Sequence, residues 1–242
     1  KSLFKKHLKA GIHGICFSAY EDDQKPGSIL AKERITKRIN ILKNYSKWVR
    51  TFSCTDGNEL IPGIAKENGM KTMVGAWLSD NKELNEKEIN NLIEVAKSGN
   101  ADLVAVGNEV LYRDELTLEE LIGYIKRVKE QLPNIDVGYV DAYYEFRNNP
   151  ELVDACDVIF ANCYPFWEGC HIDYSLLYMK TMYNMAVQAG NGKKVIISET
   201  GWPNKGTNFK ASEPSDENAM RYFINTQMWS KEDNIDVMYF SS

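Results

Sequence analysis

The segment Asp102-Leu-Val-Ala-Val-Gly-Asn-Glu-Val110 decides how this chain is read. Leu103 to Val106 form a short, continuous apolar run, the pattern of a parallel strand buried on both faces. The run stops abruptly at Gly107-Asn108-Glu109, where an amide and a carboxylate have nothing apolar to cover them. In barrels and doubly wound sheets the C-terminal ends of strands are where ligands sit. A second segment, Val195-Ile-Ile-Ser-Glu199 followed by Thr200-Gly-Trp-Pro203, repeats the pattern. Two strands that each end in a glutamate predict one site with two carboxylates.

The rest of the chain alternates around these two segments. Strands are expected to begin near positions 11, 46, 71, 101, 135, 157, 193 and 235, with helical stretches between them. A turn at Pro26 and Gly27 leads to a helix from about Ala31, with Ile35, Ile39 and Leu42 at helical spacing. Asn85 with Glu88 three residues on, and Thr117 with Glu120, both read as capping boxes. A short helix around Leu152 and Val153 follows Pro150, and a longer one runs from about Tyr174 to Ala189 with Leu177, Met182 and Met185 on its inner side. Ser215 can cap a last helix carrying Ala219, Phe223 and Met228. Eight such units predict a (β/α)8 barrel; no GxGxxG follows any strand, which counts against a dinucleotide fold. The eighth strand has no eighth helix after it. Residues 1–242 are therefore expected to be a single barrel domain truncated at its C-terminus.

Composition narrows the function classes. The hydrophobic fraction of 43% and charged fraction of 26% are those of a globular domain of this size. A net charge of −5 lacks the basic excess that a nucleic-acid surface needs. Lys1, Lys5, Lys6 and Lys9 cluster, but a solvated terminal segment accounts for them. No apolar run approaches the roughly 20 residues of a membrane span. Of the five cysteines, Cys16 and Cys163 fall in expected strands as small buried hydrophobes, and a Cys163–Cys170 loop disulfide stays open. Three histidines without an HxH or HExxH pairing offer no metal site, and no cofactor is expected. Oligomeric state is not legible.

Two carboxylates across a cleft can divide acid and base work when their surroundings separate them. In glycoside hydrolysis, a separation of about 5–5.5 Å goes with retention through a covalent intermediate. Tyr20, Phe52, Trp77, Tyr143, Tyr164, Phe166, Trp167 and Trp202 all fall at or just past strand ends, and aromatic faces suit the apolar faces of sugar rings. Sugar-phosphate and metal-enolate chemistries lack their marks: there is no Gly-rich anion loop after strand seven or eight, and no carboxylate trio.

Val106-Gly-Asn-Glu-Val110 and Ile197-Ser-Glu-Thr-Gly-Trp-Pro203 resemble the paired signatures of family 17 of the glycoside hydrolases, in its microbial rather than plant form. The resemblance runs over nearly the whole chain in strand order. It implies a retaining barrel enzyme that cleaves β-1,3-glucan or transfers the glucosyl unit to another sugar. By motif it implies Glu109 as general acid/base, Glu199 as nucleophile, and Asn108 as the partner of the substrate 2-hydroxyl. Tyr164 is placed to hydrogen-bond the nucleophile, and Arg50 to favour its ionised form. Tyr20, Trp167 and Trp202 are the remaining expected substrate contacts. Family members usually continue past Phe240-Ser-Ser with an acidic residue and a tryptophan beside the nucleophile, so this chain alone is expected to have reduced or no activity and the longer protein to be active. Family habit favours the cell surface or exterior, whereas the cysteines lean toward a reducing compartment. A non-catalytic glucan-binding barrel, or one part of a larger polysaccharide machine, is the competing reading.

Overall fold

The structure, a computed structural model, describes residues 1–20, 24–25 and 27–240; Pro26 of the expected turn lies outside them. Eight parallel strands close into a barrel in sequence order, β1 pairing with both β2 and β8. They are β1 Ile12–Cys16, β2 Ser46–Arg50, β3 Lys71–Ala76, β4 Leu103–Asn108, β5 Asp136–Ala142, β6 Val158–Asn162, β7 Val195–Thr200 and β8 Val237–Tyr239. The helices outside are α1 Ser2–Ala10, α2 Lys32–Leu42, α3 Ile61–Glu67, α4 Lys82–Lys97, α5 Leu118–Gln131, α6 Tyr143–Asn148, α7 Pro150–Ala155, α8 Ser175–Ala189 and α9 Asp216–Glu232. The predicted (β/α)8 barrel is the observed fold.

The barrel is a filled core rather than a pore. Met73, Ala105, Val140, Val158, Phe160, Ile196 and Met238 pack together inside it. Phe160 occupies the space that Gly138 leaves, where a Cβ would lie 2.7 Å from its ring. Truncating a buried phenylalanine such as this one costs about 3–5 kcal/mol. The larger apolar layer lies between strands and helices, with Ile89, Leu92, Leu121, Ile125 and Val128 among its members.

Local signals held at most helix starts. Thr117 and Glu120 form the reciprocal capping box that opens α5, and Ser215 caps α9 by accepting from the Asn218 N–H. The second expected box is corrected. Asn81 caps α4 one turn earlier, accepting from the Leu84 N–H at 3.0 Å. Asn85 and Glu88 are thereby drawn into the helix body and buried. In α8 the buried stripe is Ser175, Met179, Met182 and Ala186. Leu177 lies about 200° round the helix from Met179 and is 63% exposed. Met228 of α9 is likewise exposed, because Tyr222, Phe223, Thr226 and Trp229 take the inner face.

Two further expectations change. The lysine-rich start is helix α1: its lysines face solvent, but Phe4 packs on Phe223 of α9 with ring centroids 5.0 Å apart. Between β5 and β6 the chain forms two short helices, α6 and α7, where one was expected. All five cysteines are free thiols, Cys163 lying one residue past β6. No helix among the described residues is long and apolar enough to cross a membrane.

Candidate active site

β4 does not simply end at its polar residues; it turns. Gly107 takes φ +89°, a region that costs other residues strain, and the pairing with β5 slips between Ala105 and Asn108. Glu109 follows with φ +52°, a left-handed conformation uncommon outside glycine, and its N–H donates to the Val140 carbonyl at 2.8 Å. The next turn is tied down from β5. The Leu111 N–H donates to the Tyr139 hydroxyl at 3.0 Å, and that hydroxyl donates to Asp141. The Asp141 carboxyl, fully buried, also accepts from the Ala142 N–H at 2.7 Å, and burial pushes its pKa up to about 7. From the other side, Arg113 donates to the Asn108 carbonyl at 2.5 Å and to the Leu78 carbonyl at 3.0 Å.

β7 carries Glu199 within the strand itself, although its pairing slips after Ile197 against both β6 and β8. Its carboxylate is 7% exposed and accepts from three donors: Arg50 at 2.7 Å, Tyr164 hydroxyl at 2.8 Å and Asn162 amide at 3.1 Å. Arg50, at the end of β2 and 1% exposed, also donates to Asn108 Oδ1 at 2.6 Å. The ion pair is therefore buried and hydrogen-bonded on both partners, the condition under which buried charges persist.

Asn162 Nδ2 also donates to Glu109 Oε1 at 3.0 Å, while Ser198 donates to its Oδ1 at 2.7 Å and fixes the amide's orientation. Since one nitrogen lies 3.0 Å from Glu109 Oε1 and 3.1 Å from Glu199 Oε2, those oxygens can be no more than the sum, 6.1 Å, apart. Inverting enzymes hold their carboxyl groups about 6.5–9.5 Å apart to admit a water, and retaining ones about 5–5.5 Å. The electrostatics differ as sharply. Glu109 is half-buried and its pKa is raised, first by desolvation and further by the Glu199 charge, against the opposing Asn162 hydrogen bond. Glu199 is matched by a guanidinium.

The two glutamates open into a cleft of about 440 Å³ walled by Tyr112, Tyr143, Tyr144, Tyr164, Trp167 and Glu168. Of the residues expected from the sequence, the structure brings together Glu109, Glu199, Asn108, Tyr164 and Arg50. Trp167 stands at the rim, 62% exposed. Tyr20 lies over the ends of β1–β3, in a separate recess. Trp202 is corrected: it is 5% exposed, its indole N–H donates to the Glu213 carbonyl at 2.9 Å, and Phe166 packs against it edge-on at 5.1 Å. It sits in the loop after β7, but the Tyr222 ring of α9 packs on it with centroids 5.6 Å apart.

Sequence reasoning passed over Asn162, Arg113 and the Tyr139–Asp141 pair. Asn162 had a signal, since it ends the apolar run Val158-Ile-Phe-Ala161 just as Asn108 ends its own. Arg113 had none: besides its ion pair with Glu115, the partners that tie it to the site are the backbone carbonyls of Asn108 and Leu78. Among the described residues no group of three or more His, Cys, Asp or Glu side chains is arranged to hold a metal ion.

Residues 14–242 match the BtgE/BtgC glycoside hydrolase domain. A solved glycoside hydrolase family 17 β-1,3-glucanosyltransferase from Rhizomucor miehei is 33% identical, with TM-score 0.87, over 97% of this chain and 88% of that one. The glucan 1,3-beta-glucosidase of Arthroderma benhamiae is 29% identical over 225 residues, 85% of this chain and 71% of its own length. A glucan 1,3-beta-glucosidase of Candida albicans is 28% identical over 204 residues, 75% of this chain and 66% of its own length. The chain thus spans about two thirds of the length of the Candida relative.

Proposed function

This chain belongs to glycoside hydrolase family 17, and on that premise we propose that it is a glycosidase of β-1,3-glucan that works with retention of anomeric configuration. The observation that carries the reading is the single Asn162 amide bonded to both carboxylates, which keeps their facing oxygens within 6.1 Å and so supports a retaining pair. Glu199, ionised against Arg50, attacks the anomeric carbon as the glycosidic C–O bond breaks. Glu109, whose burial favours the protonated form, gives its proton to the departing oxygen. The covalent glycosyl-enzyme is then opened by an incoming O–H, whose proton returns to Glu109 while Glu199 leaves as carboxylate. Arg50 occupies Asn108 Oδ1, so the Nδ2 group of Asn108 is the one left to donate to a substrate hydroxyl.

Whether water or sugar resolves the intermediate defines a second reading, transfer rather than hydrolysis. Tyr112 and Trp167, each 62% exposed on the cleft wall, favour it, because they offer an incoming sugar an aromatic seat. A non-catalytic binding barrel fits less well, since it gives no use to a raised carboxyl beside an ion-paired one.

Incubation with laminari-oligosaccharides tests both points. Proton NMR in the first minutes should show β-anomeric product; α-anomeric product means inversion and rejects the mechanism. Products longer than the substrate indicate transfer.

A further inference from the structure

Asn108 is gripped at both ends by guanidinium groups. Arg50 takes its side chain, donating to Oδ1 at 2.6 Å. Arg113 takes its backbone, donating to the carbonyl at 2.5 Å. The second grip answers a gap in the sheet. The ladder between β3 and β4 ends at the pair Ala76–Val106, two residues short of Asn108. On the other side, the pairing with β5 slips between Ala105 and Asn108. Asn108 is buried, and a carbonyl left there without a donor is costly. Arg113 supplies that donor, while its other amino group donates to the Leu78 carbonyl at 3.0 Å. It thereby ties the ends of β3 and β4 together beyond the last pair of the ladder.

The arginine is itself held. Its guanidinium lies 4.6 Å from the centre of the Trp77 ring, a cation–π distance. The Trp77 N–H donates to Glu88 at 3.1 Å. Glu88 is 1% exposed and also accepts from the Ser53 hydroxyl at 2.5 Å, the Cys54 N–H at 2.7 Å and the Thr55 hydroxyl at 2.8 Å. A carboxylate buried with that many donors is a fixed anchor. The ion pair of Arg113 with Glu115 is different in kind. It joins side chains 24% and 29% exposed, and such pairs contribute little. What distinguishes Arg113 is the planar fork that reaches two carbonyls while its face rests on an anchored indole.

We propose that Arg113 is a positioning residue for the reaction: by fixing the Asn108 carbonyl against the end of β3, it aims the Asn108 Nδ2 group at the 2-hydroxyl of the sugar whose bond is cleaved. The inference rests on the proposed function for that hydroxyl. Arg113 is not part of the wall of the cleft between the two glutamates, so its effect runs through Asn108 rather than through contact with the sugar. Hydrogen bonds to the 2-hydroxyl strengthen in the transition state. Misaiming their donor therefore costs turnover more than binding.

The test compares two nitrophenyl β-laminaribiosides, one complete and one lacking the 2-hydroxyl on the sugar that carries the nitrophenyl group. Arg113→Met should lower kcat on the complete glycoside by about 10²-fold, the scale of a misplaced contact, with KM little changed. On the deoxy glycoside the loss should stay below about threefold, because the bond that Asn108 would make is already gone. Removing the cation also lets the Glu109 pKa rise, an effect common to both glycosides and absent from Arg113→Lys. That lysine variant, which keeps the charge and one carbonyl contact, should recover about tenfold of the loss. It carries the same comparison if Arg113→Met does not fold. Equal losses on the two glycosides, or no loss on either, overturn the proposal. Calorimetry separates the two claims, using a glucosyl iminosugar with nitrogen in place of the anomeric carbon, made with and without its 2-hydroxyl. If the unmodified protein turns over neither glycoside, the proposed function falls. An affinity gap between the two iminosugars that Arg113→Met narrows by about tenfold still supports the aiming of Asn108. Absent binding, or a gap indifferent to Arg113, overturns it.

Discussion

The ends of β4 and β7 begin from the same kind of sequence, a short apolar run and then a glutamate, yet the backbone treats them differently. β7 slips register after Ile197 but continues as strand through Glu199, without a positive φ, and delivers its carboxylate to three donors, one of them a cation. β4 turns left-handed at Gly107 and again at Glu109, and leaves that carboxylate half-buried, accepting from the neutral Asn162 amide. One arrangement holds a charge, and the other favours a proton. Placing two carboxylates in one site is thus a matter of sequence pattern, but dividing the labour between them is a matter of backbone and neighbours.

The largest expected effects test that division directly. Glu199→Gln should lower turnover by about 10⁴-fold or more on every substrate, because no covalent intermediate can form. Glu109→Gln should lose about 10²–10⁴-fold on glucan, where the leaving oxygen needs a proton, and far less on an aryl glycoside whose leaving group does not. Steady-state kinetics on both substrates decides it. Equal losses for the two variants on the aryl glycoside would break the comparison.

Asn162→Ala comes next, since it removes the one donor the two carboxylates share. A loss of about 10²-fold in kcat is expected, the scale of removing one positioned donor. The pH profile carries more information than the rate. The Asn162 bond lowers the Glu109 pKa against the rise from burial. Without it the carboxyl keeps its proton to higher pH, so the alkaline limb, along which activity falls as Glu109 ionises, should move upward. A limb that stays put, or moves down, assigns that titration to another group.

Much of this was legible in the residues. Eight strand–helix units were readable because a strand buried on both faces must be continuously apolar, and because Thr117 and Ser215 announce their helices locally. Glu109 and Glu199 were readable because a polar group has no packing reason to end such a strand. What stayed hidden depends on partners distant in sequence. Arg113 reaches the site through the carbonyls of Asn108 and Leu78, a group every residue has. Glu88 read as half of a cap because its spacing from Asn85 fits one; only the closed barrel brings Ser53, Thr55 and Trp77 around it. Trp202 read as a loop aromatic beside a proline, and sequence offers no sign that α9 folds over it.

The left-handed turn at β4 is tested by Gly107→Ala. A Cβ there would meet Tyr139 and Val110 at 3.3 Å with φ at +89°. A loss of about 2 kcal/mol in unfolding free energy is expected, as for other non-glycine residues held in that region. Activity should fall with it, because the turn aims Glu109. Denaturant unfolding beside kinetics measures both; a neutral result would mean the turn is not what separates the two strand ends.

The smallest effect is a slope. Asp141 braces the turn after Glu109, and its buried carboxyl titrates at about 7 rather than at its ordinary 3.8. Below the lower value both folded and unfolded chains hold the proton. Between the two values the unfolded chain has released it and the folded chain has not, so unfolding sheds a proton and stability falls as pH rises. The slope is roughly 1.4 kcal/mol per pH unit, and it flattens once the folded group also ionises. Asp141→Asn, which cannot ionise, should remove that component. The difference in unfolding free energy between the two proteins should therefore widen in favour of the variant from the acid end of the window to neutrality. A constant difference across that window would mean that Asp141 is already ionised in the folded protein. The turn carrying Glu109 would then rest on a buried charge, much as Glu199 does.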